Sequence, residues 1–210
     1  MVLHYEILDQ ARKEILPLFA SLKGAFYLAG GTALALQLGH RDSVDFDFFT
    51  PEEFEPQKLL GELRRNFSGH GLEIIQEDKN TLSLLVDGNI NLSFFFYPYP
   101  LISKALGTEY MNIASVEDIA AMKLVAIVNR SAQKDFVDLY YILNHYTLSG
   151  LFDIARKKLP MYSEQLVLKS LVYFEETKPE PIKFMPGFEI TWPQLQKFFV
   201  KTVKDFSGGL

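Results

Sequence analysis

The chain has 210 residues with 26 acidic and 21 basic side chains, a formal net charge of −5, 48% hydrophobic residues, 18 Phe, 10 Tyr and no cysteine. The aromatic content excludes a disordered chain, and the lack of cysteine excludes disulfides, thiolate zinc sites and a cysteine nucleophile. The acidic balance argues against a globally basic nucleic-acid binder, though not against a local basic patch; no signal-peptide pattern and none of the ~18-residue apolar runs of a membrane span occur, so a cytoplasmic protein with no membrane partner is expected.

In chain order, residues 5–22 read as one amphipathic helix, with Ile7, Leu8, Ile15, Leu16, Phe19 and Leu22 on its apolar face and Gly24 beyond its end. Phe26–Ala29 is predicted as a short buried strand. It runs into Gly30-Gly31, and Thr32–Leu38 is predicted as a helix stopped by Gly39. Val44–Phe49 is predicted as a second strand carrying Asp45 and Asp47. Side chains at i and i+2 of a strand share a face, so the two carboxylates point one way while Phe46 and Phe48 point into a core.

A helix over Pro56–Asn66 should bury Leu59, Leu60 and Leu63, with Phe67 beyond it facing in. Three strands follow, Leu72–Gln76, Thr81–Val86 and Ile90–Phe96, the last two joined by the turn Asp87-Gly88-Asn89. Tyr97–Pro100 is a loop. Ser115-Val-Glu-Asp118 resembles a capping box and opens a helix to about Val128. Further helices are expected over 134–144, 150–158, 163–176 and 193–205, with a proline-rich connector at Lys178–Pro186. The expected fold is therefore α+β: a mixed sheet flanked by helices, then a helical C-terminal region. The change of character near 111 suggests two units, 1–111 and 112–210.

Paired carboxylates on one strand face repel unless a cation lies between them, and hard oxygens suit Mg²⁺ or Mn²⁺. Gly30, Gly31 and Thr32 open a helix start where an anion is held. A tight turn and a solvated acidic face are the plain alternatives. Arg41 could bind a phosphate or pair with Asp42 or a site carboxylate. Lys123 sits on an otherwise apolar helix and could snorkel to the surface or reach a triphosphate. Asp135 and Asp138 share a helix face and could complete a metal site or pair with Arg130 or Lys134. His4, His40, His70 and His145 read as structural, and Phe94-Phe95-Phe96 reads as strand core rather than a base-stacking platform.

LAGGTALALQLGHRDSVDFDFF resembles the first motif of nucleotidyltransferases of the polymerase-β superfamily, where a small-residue helix start precedes a DxD strand. SVEDIAAMKLVAIVNRSAQKDFVDLYYIL resembles the helical motif of the AbiEii/AbiGii-type (MenA-like) toxin nucleotidyltransferases. The resemblance covers about residues 20–145. It implies a nucleotidyltransferase-like core and a metal-dependent transfer of a nucleoside monophosphate from a nucleoside triphosphate to an acceptor hydroxyl, an RNA or tRNA end among the candidates. It further implies the toxin of a toxin–antitoxin or abortive-infection pair, with an antitoxin protein as partner. Carried over by position, Asp45 and Asp47 hold Mg²⁺, and Gly30, Gly31 and Thr32 border the triphosphate. Lys123 and Asp135 match the family's lysine and helical aspartate, with Asp138 as a nearby alternative. The superfamily's third strand carboxylate has no counterpart: Ile90–Phe94 carries Asn91 and Ser93. A weakly active or inactive nucleotide-binding module, an AMP-transferase acting on a protein or small molecule, and a DxD glycosyltransferase remain alternatives at this point.

Overall fold

The computed structural model describes residues 2–177 and 179–208. Its centre is a seven-stranded mixed sheet in the order β3-β4-β5-β2-β1-β7-β6. The strands are β1 (Tyr27–Ala29), β2 (Phe46–Thr50), β3 (Leu72–Asp78), β4 (Thr81–Val86), β5 (Ile90–Phe96), β6 (Leu106–Gly107) and β7 (Asn112–Ile113). β2 pairs parallel with β5 and antiparallel with β1, which places Asp47 between Ser93 and Ala29. Phe46 and Phe48 are fully buried, as their alternation requires, and Phe19 meets both rings edge-on at 4.8 and 5.1 Å. The strand starts two residues later than the pattern suggests, so Asp45 precedes β2 while Asp47 lies within it.

The N-terminal segment buries every residue its periodicity selects, yet it is not one helix. A 3-10 turn at Tyr5–Ile7 precedes α1 (Gln10–Ile15), and Leu16–Leu22 continues as 3-10 helix. Asp9 restarts the chain by accepting from the Arg12 backbone N–H (2.9 Å). Pro17 lacks an N–H, so the α-pattern of bonds cannot run through it. The interruption serves the site. Arg12, nearly buried, donates from Nε to the Val44 carbonyl (2.7 Å) and from Nη2 to the Asn89 carbonyl (2.9 Å), fixing the entry to β2.

α2 (Gly30–Leu38) follows β1 directly and is buried from Thr32 through Gln37. α3 (Pro56–Asn66) lies where the sequence places it. The helical region comprises α4 (Val116–Arg130), α5 (Gln133–Leu143), α6 (Leu148–Lys158), α7 (Glu164–Leu171) and α8 (Trp192–Gly208). α7 is shorter than expected. Beyond it Phe174 packs on Phe136 and Trp192, both at 5.7 Å, which draws the chain off the helix axis. The two-residue strands β6 and β7 escape a periodicity reading, being too short to show one; β7 extends the sheet through Leu28, whose carbonyl accepts from Ala114 N (2.9 Å). Part of the expected connector, Lys178, lies outside the described residues. Its remainder folds back onto the loop after α2: Asp42 N donates to the Lys183 carbonyl (2.8 Å) and Met185 N to the His40 carbonyl (3.1 Å). Among the described residues, no helix is long and apolar enough to cross a membrane.

Asp118 goes beyond its expected capping role. Ser115 Oγ accepts the Asp118 N–H (3.0 Å), while the fully buried Asp118 carboxylate accepts from Ile102 N (2.9 Å), Ser103 N (3.2 Å) and Lys158 Nζ (2.7 Å). It thus pins the loop after β5 to α4 and α6. Asp118→Ala leaves the Lys158 ammonium buried without its counter-charge, a loss of about 3–5 kcal/mol. Urea unfolding of this variant and of Asp118→Ala/Lys158→Met should show the double variant recovering part of the loss. A double variant no more stable than the single one would refute this.

Candidate active site

The end of β1, the start of α2 and the acidic strand β2 converge at one point. Gly30 has φ +73°, a conformation open to glycine, and a Cβ there would lie 3.1 Å from Asp47 Oδ2. A Cβ on Gly31 would lie 2.6 Å from Arg41 Nη2 and 3.3 Å from Ser43 Oγ. The double glycine therefore admits the protein's own charged side chains against the backbone. The N-cap of α2 is Ala29, which supplies no side-chain cap, so the first-turn N–H groups of this helix are left to other partners. Thr32 Oγ1 donates to the Asp45 carbonyl and lies 2.8 Å from Ser43 Oγ, tying the first turn of α2 to the entry of β2.

Asp45 Oδ1 accepts from Asn91 Nδ2 (2.8 Å). Burial, and next the Asp45 charge, push the Asp47 carboxyl above its ordinary range despite Lys123, Arg130 and Lys134 nearby. A cation between the two carboxylates would relieve this repulsion. Two hard carboxylates, one with an oxygen held by Asn91, fit Mg²⁺ or Mn²⁺ completed by waters and phosphate oxygens. No group of three or more His, Cys, Asp or Glu placed to hold a metal occurs among the described residues. A fully protein-built site is therefore not what the pair offers. In the β2–β5 register Asp47 faces Ser93, so β5 brings an amide and a hydroxyl to the place where a third acid was sought.

Asp135 and Asp138 are each paired with cations. Asp138 is fully buried, accepts from Arg41 Nε (2.7 Å) and Nη2 (2.9 Å) and from His40 Nε2 (2.8 Å), and forms an ion pair with Lys123 Nζ (2.5 Å). Burial alone would raise its pKa, but Arg41 and Lys123 hold it well below the carboxylate range. Asp135 accepts from Lys123 Nζ (2.7 Å) and from the Arg130 fork (2.7 and 2.8 Å). It too is held low, burial being outweighed by Arg130 and Lys123. His40 is kept neutral, burial lowering its pKa against the pull of Asp138, and its Nδ1 has no partner. Arg41 and Lys123 are 5% and 4% exposed, so neither snorkels.

A cleft of about 490 Å³ lies over this array, lined by Gly31, Thr32, Asp45, Asp47, Arg41 and Lys123, with Arg130 and Lys134 at its edge. Its far wall is the strap Glu180–Lys183, where Lys183 Nζ meets Asp42 Oδ2 (2.6 Å) and Glu180 meets Lys134 (3.7 Å). All eight residues that the sequence nominates thus lie around one centre: seven line the cleft or the groove beside it, and Asp135 stands behind Lys123 and Arg130. The bond from Asn91 to Asp45, the burial of His40 against Asp138 and the strap go beyond what the sequence indicates. The strap meets Asp42 across 141 residues of chain and Lys134 across 46, and no local pattern signals such contacts.

The sequence model of the family described as nucleotidyl transferase AbiEii toxin, type IV TA system, matches residues 18–207. An uncharacterized protein of Aquifex aeolicus is 38% identical over 190 residues, 86% of this chain and 87% of its own. Among solved structures, the nucleotidyltransferase toxin MenT4 of Mycobacterium tuberculosis superposes with a TM-score of 0.58 at 17% identity, over 93% of this chain and 82% of that one. JHP933 of Helicobacter pylori superposes with a TM-score of 0.51 at 17% identity, over 99% and 97%. At such identities the structural likeness speaks for the fold.

Proposed function

The chain belongs to the AbiEii nucleotidyltransferase toxin family, and on that premise we propose that it is a metal-dependent enzyme moving a nucleoside monophosphate from a nucleoside triphosphate to an acceptor hydroxyl, with an RNA end, such as that of a tRNA, as acceptor. The observation that carries the reading is the unbalanced Asp45–Asp47 pair facing buried, pre-positioned cations across one cleft. Lys123 and Arg41 are locked by Asp138 before any ligand arrives, so little reorganisation is needed when phosphates enter. The β- and γ-phosphates lie along Lys123, Arg130 and Lys134, and the uncapped start of α2 offers N–H groups to the same anion.

Asp45 and Asp47 would hold the Mg²⁺, which when bound neutralises charge on the phosphates and polarises the α-phosphate. The acceptor oxygen forms a bond to the α-phosphorus. The bond from that phosphorus to the bridging oxygen breaks, pyrophosphate leaves with the electron pair, and the hydroxyl proton passes to water. Lys123 and Arg130 meet the charge that grows on the leaving group. In a cell the protein would act as the toxin partner of an antitoxin, in a toxin–antitoxin or abortive-infection setting.

The test is to incubate the protein with each α-labelled triphosphate, Mg²⁺ or Mn²⁺, and total RNA. Label is expected on RNA with at least one triphosphate. Label found on protein instead would transfer the acceptor role to a polypeptide, and no transfer with any triphosphate would refute the reading.

A further inference from the structure

Asp47 stands between two cavities. On the side away from the strap, a groove of about 430 Å³ is lined by Phe49, Phe95, Tyr97, Met122, Val125 and Ala126. Gly31, Asp47, Lys123 and Arg130 line both this groove and the charged cleft. The groove follows from strand register. β2 and β5 run parallel with Asp47 beside Ser93 and Phe49 beside Phe95, and Asn91 reaches Asp45. Two neighbouring strands therefore pass from polar to aromatic in step along one face: Asp45, Asp47, Phe49 and Asn91, Ser93, Phe95. Phe94 and Phe48 are buried on the opposite face. The Phe49 and Phe95 rings lie 5.5 Å apart, with Tyr97 5.9 Å from Phe49, and all three remain only partly buried.

We propose that this groove receives the terminal base of the acceptor, stacked on the Phe49–Phe95 pair, and so selects acceptors that end in a nucleoside. The inference rests on the nucleotidyl-transfer reading and deepens it. Displacement at phosphorus is in line, so the acceptor oxygen enters opposite the leaving pyrophosphate. Pyrophosphate belongs with the cations of the charged cleft. The opposite approach to a phosphate held at Asp47 is the aromatic groove, whose cations, Lys123 and Arg130, stand only where it joins the cleft. Apolar rings hold a base by its face without reading its sequence, and one such stack changes affinity by roughly 5- to 150-fold. The base sits on the rings with its ribose toward Asp47. The ribose hydroxyl oxygen bonds to the α-phosphorus, the pyrophosphate departs into the cleft with the electron pair, and the hydroxyl proton goes to water.

Two variants test this, Phe95→Leu, which removes a ring, and Ala126→Trp, which fills the groove from α4. Each is compared with wild type for Mg–triphosphate binding by calorimetry and for KM of the RNA that wild type labels. A matched RNA whose last residue is abasic serves as the second substrate. The expected result is an acceptor KM at least 10-fold higher in both variants, with triphosphate Kd within about 2-fold of wild type. The abasic end should raise the wild-type KM similarly and the Phe95→Leu KM little further. Unchanged acceptor KM overturns the proposal. A triphosphate Kd that rises with the acceptor KM also overturns it, placing the triphosphate's own base in the groove. If wild type binds triphosphate yet labels no RNA, the transfer reading itself fails and this proposal with it, an outcome distinct from both.

Discussion

Asp47→Asn removes nucleotidyl transfer, by at least about 10²–10³-fold, and at the same time makes the ligand-free protein harder to unfold. The two effects share one cause. Burial and the neighbouring Asp45 charge raise the Asp47 pKa in the folded chain, so the folded state resists ionising this carboxyl while the unfolded chain ionises it freely. At neutral pH an acid with a raised folded pKa subtracts from stability, because the unfolded state is the one that gives up the proton readily. As pH falls toward the ordinary carboxylate range, the folded wild type takes up that proton first and its deficit relative to the variant shrinks. Asparagine keeps the shape of the side chain and removes the charge. The expected measurements are a higher urea midpoint for ligand-free Asp47→Asn at neutral pH, and loss of the stabilisation that Mg–triphosphate gives wild type. A variant that is less stable when ligand-free, yet still stabilised by Mg–triphosphate, would show that Asp47 holds structure rather than ligand.

Much of this centre was legible because it is local. The carboxylate pair, the double glycine and the alternating phenylalanines lie within residues 26–50, and rules of strand alternation and glycine backbone freedom act over a few residues. The hairpin at Asp87-Gly88 was equally plain, both residues having the positive φ that such turns require. The N-terminal segment departs from a single helix for a related reason. Burial periodicity was correct at all six apolar positions, but hydrophobic period does not encode where a cap or a proline interrupts the hydrogen-bond ladder. The aromatic triplet reads as core, and that holds for Phe94; strand alternation sends Phe95 to the other face, where it lines the groove beside Asp47. Asp135 and Asp138 are the least legible. Their shared helix face was visible, but whether a buried carboxylate meets a metal or a cation depends on what packs against it. For Asp138 the partners come from His40 and Arg41, 98 and 97 residues earlier in the chain.

That placement gives Asp138→Asn an expected effect on stability as large as that of Asp118→Ala. The carboxylate accepts four hydrogen bonds or ion-pair contacts with no exposure to solvent. Its pKa is depressed in the folded state, so the stability it contributes is present above the ordinary carboxylate range and is lost only as pH falls through the lower, folded value. Replacing it leaves Arg41 without a counter-charge and Lys123 with Asp135 alone, a loss of about 3–5 kcal/mol against the roughly 5–15 kcal/mol that hold a domain of this kind folded. Asp135→Asn should cost less, because its second partner, Arg130, is 55% exposed and can return to water. Urea unfolding of both variants at neutral pH should therefore rank Asp138→Asn below Asp135→Asn, and the reverse order would refute the assignment of Asp138 as the keystone of the cation array. Mg–triphosphate supplies negative charge to the same Lys123 and Arg41, so it should raise the midpoint of Asp138→Asn by more than it raises wild type if those cations face the ligand. An equal shift in both proteins would place the phosphates elsewhere.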